Sequence, residues 1–321
     1  MEGGAMSSVL YDVPGPKAVA RNRVLGVVTV VLVLAVIGWV IWRLADTGQF
    51  SPAKWEIFTY AAIWQLLLDG VLATLSAFAA AAVGALVLGF VLAIGRLSDH
   101  GWIRVPVGWI TEVLRAIPVL IFMMLLYYGL PVVGIRMEPY WAVVIALIAY
   151  NGSVLAEVIR AGVESLPRGQ SEAGYAIGLR KSGVLRMILL PQAIRAMMPV
   201  IVAQLVVTLK DTALGFIITY HELLYVIKLL GSNAVYSSPL IPTAMVGGTI
   251  YVAMCLALSY VAYRIEQRAK RRQRQQAAEG GQPHHPVGDV TDTQLIGLQA
   301  NTDRATGNEG GGFAGLPHRK G

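Results

Sequence analysis

Six apolar runs, at about residues 24–42, 66–94, 113–133, 140–159, 199–220 and 244–263, decide what this chain can fold into. Each is close to the roughly 20 residues that a helix needs to cross about 30 Å of hydrocarbon at about 1.5 Å per residue. Backbone N–H and C=O groups in lipid must bond internally, so the runs are expected to be helices. The expected fold is an all-α membrane bundle of about six spans. A chain that is 55% hydrophobic and only 14% charged falls outside the balance of a soluble domain.

A formal charge of +7 could point to nucleic acid, but the basic residues gather beside the ends of apolar runs. That placement reads as membrane orientation. One set of connections carries Lys17, Arg21 and Arg23; Arg96 and Arg104; six residues from Arg160 to Arg195; and six more from Arg264 to Arg274. The opposite set carries only Arg43, Lys54, Arg136 and Lys228. Both termini and the long loop at 160–199 are therefore expected on the cytoplasmic side. The first run is long for a secretory signal core and lacks a small-x-small cleavage site, so it is expected to remain as a span.

The expected organisation is a cytoplasmic segment at 1–23, a first helix at 24–42, a transmembrane domain at 66–264 with the loop at 160–199 inside it, and a disordered cytoplasmic tail at 275–321. The tail is rich in Gly, Gln, Pro, Asp and Thr and cannot bury a core. Cys255 is the one cysteine and lies in an apolar run, so no intrachain disulfide can form. His284 and His285 are too isolated to argue for a metal site, and no metal is expected.

The loop at 160–199 is the part most strongly patterned for function. Pro167 suits the first turn of a helix and Gly178 suits a left-handed helix end, which predicts a short helix over about 167–177. On it Gly169, Ala173 and Ile177 recur at helical spacing beside Ala176, giving a narrow face on which another surface could approach the backbone. Glu172 is expected near the helix start, where the dipole favours a carboxylate. Ser182 can cap a second helix whose apolar end, Ile188 to Leu190, is closed by Pro191. Physics alone leaves an interfacial amphipathic connector and a protein-docking surface both open.

The order of residues goes further. Glu172, Ala173, Gly178, Ile188, Leu190 and Pro191 resemble the signature of integral membrane subunits of ABC importers: Glu-Ala-Ala, three residues, Gly, nine residues, Ile, any residue, Leu-Pro. Gly174 stands where that pattern has its second Ala. The segments Gly162, Pro167 to Gln170, Pro191 to Ala193, Lys210 to Thr212, Thr111 to Arg115 with Pro118, and Gly95 to Ser98 resemble the polar amino acid permease branch, and the actinobacterial glutamate permeases in particular. Ala213 stands where that branch usually has Ser, and the tail after Arg274 is unusual for it.

The resemblance implies a permease in a bacterial plasma membrane. Its implied partners are two cytoplasmic ATPases, a second permease that is a copy or a homologue, membrane lipid, and an extracytoplasmic amino-acid-binding protein. The implied substrate is glutamate, with glutamine, aspartate or a basic amino acid as alternatives. Gly169, Glu172, Ala173, Gly174, Gly178, Ile188, Leu190 and Pro191 would then couple to an ATPase. No cofactor is expected in this chain, and ATP with Mg would bind the partner ATPase.

Other motifs fail. Gly174, Gly178, Lys181 and Ser182 do not make a phosphate loop, because Leu179 and Arg180 intrude. His221-Glu222-Leu223-Leu224-Tyr225 begins like a zinc-protease motif but has Tyr225 where the second His is needed. No nucleophile, base and oxyanion donors assemble, so the chain is expected to be non-catalytic.

Ionisable or polar groups within spans are candidates for a substrate pathway. These are Asn151, Thr208, Lys210 and Asp211. Lys210 and Asp211 could receive the carboxylate and ammonium of an amino acid. Alternatively Lys210 pairs with Glu157 or Glu112, and Asp211 pairs with Arg115 or caps a broken helix. Asn151, Gly152 and Ser153 could open the backbone of the fourth span, or simply pack helices. A secondary transporter or channel would also explain midplane charges, and a scaffold would explain a long tail, but neither explains the ordered loop.

Overall fold

The computed structural model describes residues 15–279. The expected features at 1–14 and 280–321, including His284, His285 and most of the tail, lie outside them. One compact unit ends at Glu266 and a second begins at Gln267; the bundle belongs to the first.

The described residues are helical, with no strand among them. Helix α1 is Pro16–Asp46, α2 is Ala61–Arg96, α3 is Gly101–Ala116 and α4 is Val119–Met124. Helix α5 is Pro139–Glu164, α6 is Arg168–Ala176, α7 is Leu190–Asp211, α8 is Leu223–Gly231 and α9 is Leu240–Glu279. Five helices are long and apolar enough to cross a bilayer, or six if the bent pair α3 and α4 counts as one span. The chain is therefore a multi-pass membrane protein.

The first helix begins at Pro16, inside the segment expected to precede the span, because proline at a first helical position loses no hydrogen bond. Lys17, Arg21 and Arg23 thus lie on α1. No residue of α1 is buried. The core instead forms where α2 crosses α5. Ala77, Ala81 and Ala85 on α2 are fully buried, as are Ala142, Val143, Ala146 and Leu147 on α5. A Cβ on Gly89 would stand 2.8 Å from Leu155 Cβ and 2.9 Å from the Gly152 carbonyl oxygen. Only glycine lets the backbones meet there, the small-residue packing that replaces hydrophobic drive in a membrane.

The run at 113–133 is not one straight span. Proline disfavours a helical conformation in the residue before it, and Ile117 is extended, with φ −81° and ψ 120°. The chain bends by 94° between α3 and the helical stretch Val119–Val133. By contrast α5 runs unbroken through Asn151, Gly152 and Ser153, so the backbone opening considered there does not occur. Glycine and serine in that turn serve helix contact.

Pro191 does not end the second helix of the loop. A proline in a helix clashes with the carbonyl four residues back, and here the preceding Val184–Leu189 turn is a π-helix that widens the ladder and leads straight into α7. Arg180, not Ser182, occupies the cap position before the Lys181–Gly183 turn, and Ser182 lies inside it.

Candidate functional site

Helix α6 forms where the sequence predicts. Pro167 sits at its N-cap with φ −55° and ψ 134°. At the other end Gly178 takes φ +82°, and the N–H of Leu179 reaches the Gly174 carbonyl at 3.1 Å, closing the helix with a left-handed residue. Glu172 is the fifth residue of nine and falls beyond the first turn, where the dipole has weakened. Its carboxylate gains little from the helix and points into solvent.

The helix has two distinct faces. Gly169, Glu172, Ala173, Ala176 and Ile177 are exposed, with Ile177 at 76%. Gly174 is buried on the opposite side. A Cβ at Gly174 would stand 2.9 Å from both Ile188 Cδ1 and Val184 Cγ2. The departure from Glu-Ala-Ala thus lets α6 lie close against the π-turn. Exposed Tyr175, Ile177 and Met187 add apolar surface to this loop.

The loop is fixed to the bundle at several points. Leu190 is buried in a cluster with Leu92, Ala93, Ala156, Ile159, Val163 and Ala193. Pro191 follows it in the first turn of α7. The Gln192 amide donates to Gln170 Oε1 at 3.1 Å, joining α7 to α6. Lys181 is ion-paired with Asp99 in the turn between α2 and α3. Asp99 carried no recognisable signal in the sequence, and Gln170 and Gln192 stood out only as members of the family-like segments, because such pairings are set by three-dimensional approach.

Within the spans, Asn151 is fully buried. It donates to the Leu147 carbonyl at 3.0 Å, and its Oδ1 accepts from Gln204 Nε2 at 2.7 Å. Gln204 was not singled out from sequence, yet it joins α5 to α7. Thr208, one turn on, donates back to the Gln204 carbonyl at 2.9 Å. Thr74 bonds back to Gly70 at 2.8 Å and also accepts the Leu223 N–H at 3.1 Å, which ties α8 to α2. Asn151, Gln204 and Thr208 therefore form one polar patch where α5 meets α7.

Lys210 and Asp211 lie at the end of α7, away from the partners considered for them. Glu157 pairs with Arg96 and Arg160, and Glu112 with Arg96 and Arg115. Neither Lys210 nor Asp211 enters an ion pair among the described residues. Lys210 is exposed and borders a cavity of about 330 Å³ with Leu224, Ile227 and Tyr251.

Glu222 lies between the transmembrane stretch ending at Ile218 and α8. It is buried and caps α8, accepting the N–H groups of Leu224 and Tyr225 at 2.8 Å each. Burial pushes its pKa up from 4.5 to about 7, and the two backbone donors oppose the shift. The glutamate of the failed protease motif is thus a helix cap, while His221 packs edge-on against Tyr225 at 4.4 Å.

Residues 85–272 match the family model described as the binding-protein-dependent transport system inner membrane component. The glutamate transport system permease protein GluD of Corynebacterium glutamicum is 37% identical over 232 residues, 71% of this chain and 84% of that protein. The glutamine transport system permease protein GlnP of Escherichia coli is 31% identical, covering 66% of this chain and 98% of the relative. The crystal structure of an amino acid ABC transporter with histidines superposes with a TM-score of 0.60 at 26% identity, over 66% of this chain and 98% of that one. A match that spans most of the bundle and takes in the loop from Gly169 to Pro191 makes the chain a member of the binding-protein-dependent transport system inner membrane components.

Proposed function

We propose that this chain is the permease subunit of an ATP-driven importer for a polar amino acid, with glutamate as substrate, and that α6 is the segment that seats in a cytoplasmic ATPase. The observation that carries the reading is the two-faced helix. Gly174 faces inward and lets α6 lie flush, while Gly169, Ala173 and Ala176 present small residues outward beside exposed Glu172 and Ile177. Small residues that let another backbone approach, flanked by a carboxylate and an apolar side chain, suit contact with another protein.

The assembly contains two ATPases, which bind ATP with Mg, a second permease, and an extracytoplasmic binding protein that supplies the amino acid. This chain holds no cofactor and performs no hydrolysis. Both termini and α6 face the cytoplasm of a bacterial cell, in keeping with the excess of Lys and Arg on that set of connections. Closure of the ATPases moves α6, and the spans change from inward-facing to outward-facing as rigid bodies. Lys210 and Asp211 at the end of α7 offer both charges to a zwitterion, and half-buried Gln204, held in place by buried Asn151 and one turn before Thr208, offers a hydrogen bond beside them.

Glutamate is preferred because the relative with 37% identity is a glutamate permease, although relatives near 30% carry arginine or glutamine. The test is co-purification with the ATPase, partner permease and binding protein, followed by ATP-dependent uptake of glutamate, glutamine, aspartate and arginine in proteoliposomes. Glu172→Lys is expected to leave membrane insertion intact and abolish ATPase binding. Uptake driven by an ion gradient without the ATPase would overturn the reading in favour of a secondary transporter.

A further inference from the structure

Three arginines and three glutamates join the ends of three helices just ahead of α6. Arg96, in the last turn of α2, donates from Nη1 to Glu112 of α3 at 3.1 Å, and the same nitrogen is ion-paired with Glu157 of α5 at 3.1 Å. Arg115, one turn along α3, approaches Glu112 at 3.5 Å. On α5, Arg160 Nε lies 3.2 Å from both oxygens of Glu157, and the same guanidinium is bonded to Glu164. Glu164 is the last residue of α5, four residues before α6 begins.

We propose that this network is the joint that makes α2 and α3 follow α5 when the loop carrying α6 moves, so that Arg96 and Glu157 are positioning residues for transport. The inference rests on the reading of α6 as the ATPase-docking segment. Beneath the charges, α2 and α5 meet through Leu92, Ala93, Ala156, Ile159 and Val163. Apolar contact of that kind is non-directional and tolerates sliding. Charge-assisted hydrogen bonds fix register as well as proximity.

Side-chain exposure separates the members. Arg96, Glu157 and Arg160 are 17%, 25% and 24% exposed, against 58% for Glu112. The inner three cannot exchange a lost partner for water without penalty, whereas ordinary surface pairs contribute almost nothing to stability. The Lys181–Asp99 pair touches the same corner between α2 and α3 but is 42% and 67% exposed, a surface pair. Motion of α6 therefore reaches that corner through the end of α5, by way of Glu164, Arg160 and Glu157.

The experiment compares uptake per ATP hydrolysed for the complete importer in proteoliposomes, with Arg96→Gln, Glu157→Gln, Arg96→Lys, Glu112→Gln and Arg160→Gln in this chain. The two glutamine variants at the inner pair are expected to keep the ATPase bound and hydrolysing while uptake per ATP falls about fivefold, within the range of couplings carried by residues between two sites. Arg96→Lys keeps the charge and is expected to retain most of the ratio, which a loss of general packing would not allow. An unchanged ratio in Arg96→Gln and Glu157→Gln overturns the proposal. Glu112→Gln keeps an oxygen for Arg96 at an exposed position and is expected to keep the ratio. If the inner glutamine variants fail to accumulate, Arg160→Gln decides: it leaves Arg96 paired with Glu157 and removes the link from Glu157 to Glu164, and a reduced ratio supports the joint while an unchanged one overturns it. Failure of the unmutated chain to bind the ATPase would overturn the functional reading itself, a result seen before any variant is made.

Discussion

Gly174 lies so close to Val184 that a Cβ on the glycine would stand 2.9 Å from Val184 Cγ2, inside van der Waals contact. Ile188 Cδ1 is equally near but ends a flexible side chain, whereas the β-branched valine has little freedom to yield. Gly174→Ala, which restores the usual family residue, is therefore expected to destabilise the loop. The gain in helix propensity, about 1 kcal/mol, is offset by overpacking of roughly 1–3 kcal/mol. The check is thermal unfolding in detergent together with ATPase binding. Equal or higher stability with unchanged binding would show that the π-turn relaxes freely.

Gly178 makes a different demand, on backbone rather than space. Its φ of +82° places it in the left-handed region, and no atom lies within 4 Å of a Cβ built there. Gly178→Ala is thus expected to weaken the end of α6 by about 1 kcal/mol through strain alone. Gly178→Asn should weaken it less, since Asn tolerates that conformation. Protease sensitivity of the loop distinguishes the two; equal protection of both variants would mean that the α6 terminus does not depend on this residue.

These two glycines mark how far sequence could see. Gly178 was legible because a left-handed helix end has a local signature, as has the proline that precedes α6. The inward role of Gly174 was not legible, since it depends on a π-turn ten residues on, which Pro191 forces and which periodicity counts as ordinary helix. The break at Ile117 was available from Pro118, yet the apolar run on both sides read as one span. Asn151 stood out as a polar group in an apolar run. Its partner Gln204, on another helix, did not, because cross-helix hydrogen bonds follow from packing and leave no spacing in the chain.

Asn151 and Gln204 supply a test of that pairing. Asn151→Ala removes the acceptor for the Gln204 amide and leaves a half-buried donor unpaired, with an expected loss of about 1–3 kcal/mol. Gln204→Ala should lose a comparable amount, and the double variant less than the sum, because both single changes break the same bond. Unfolding in detergent gives the coupling, and half-saturation for uptake shows whether the patch also meets substrate. Strict additivity would mean that the 2.7 Å contact contributes nothing.

Glu222 predicts a pH dependence with a definite sign. Its folded pKa is raised from 4.5 to about 7 by burial, so between those values the folded protein holds a proton that the unfolded chain has released. The protonated form is fully favourable below about pH 4.5, and stability falls as pH rises through about 7, by a total on the order of 3 kcal/mol from this group. Above that range the ionised carboxylate is still held by the Leu224 and Tyr225 N–H groups, which is why α8 remains capped. Glu222→Gln keeps an oxygen acceptor for the cap and has nothing to titrate. Its melting temperature is expected to match that of the parent at pH 5 and to exceed it at pH 8. Parallel profiles for the two proteins across that interval would show that Glu222 ionises as readily in the bundle as in water.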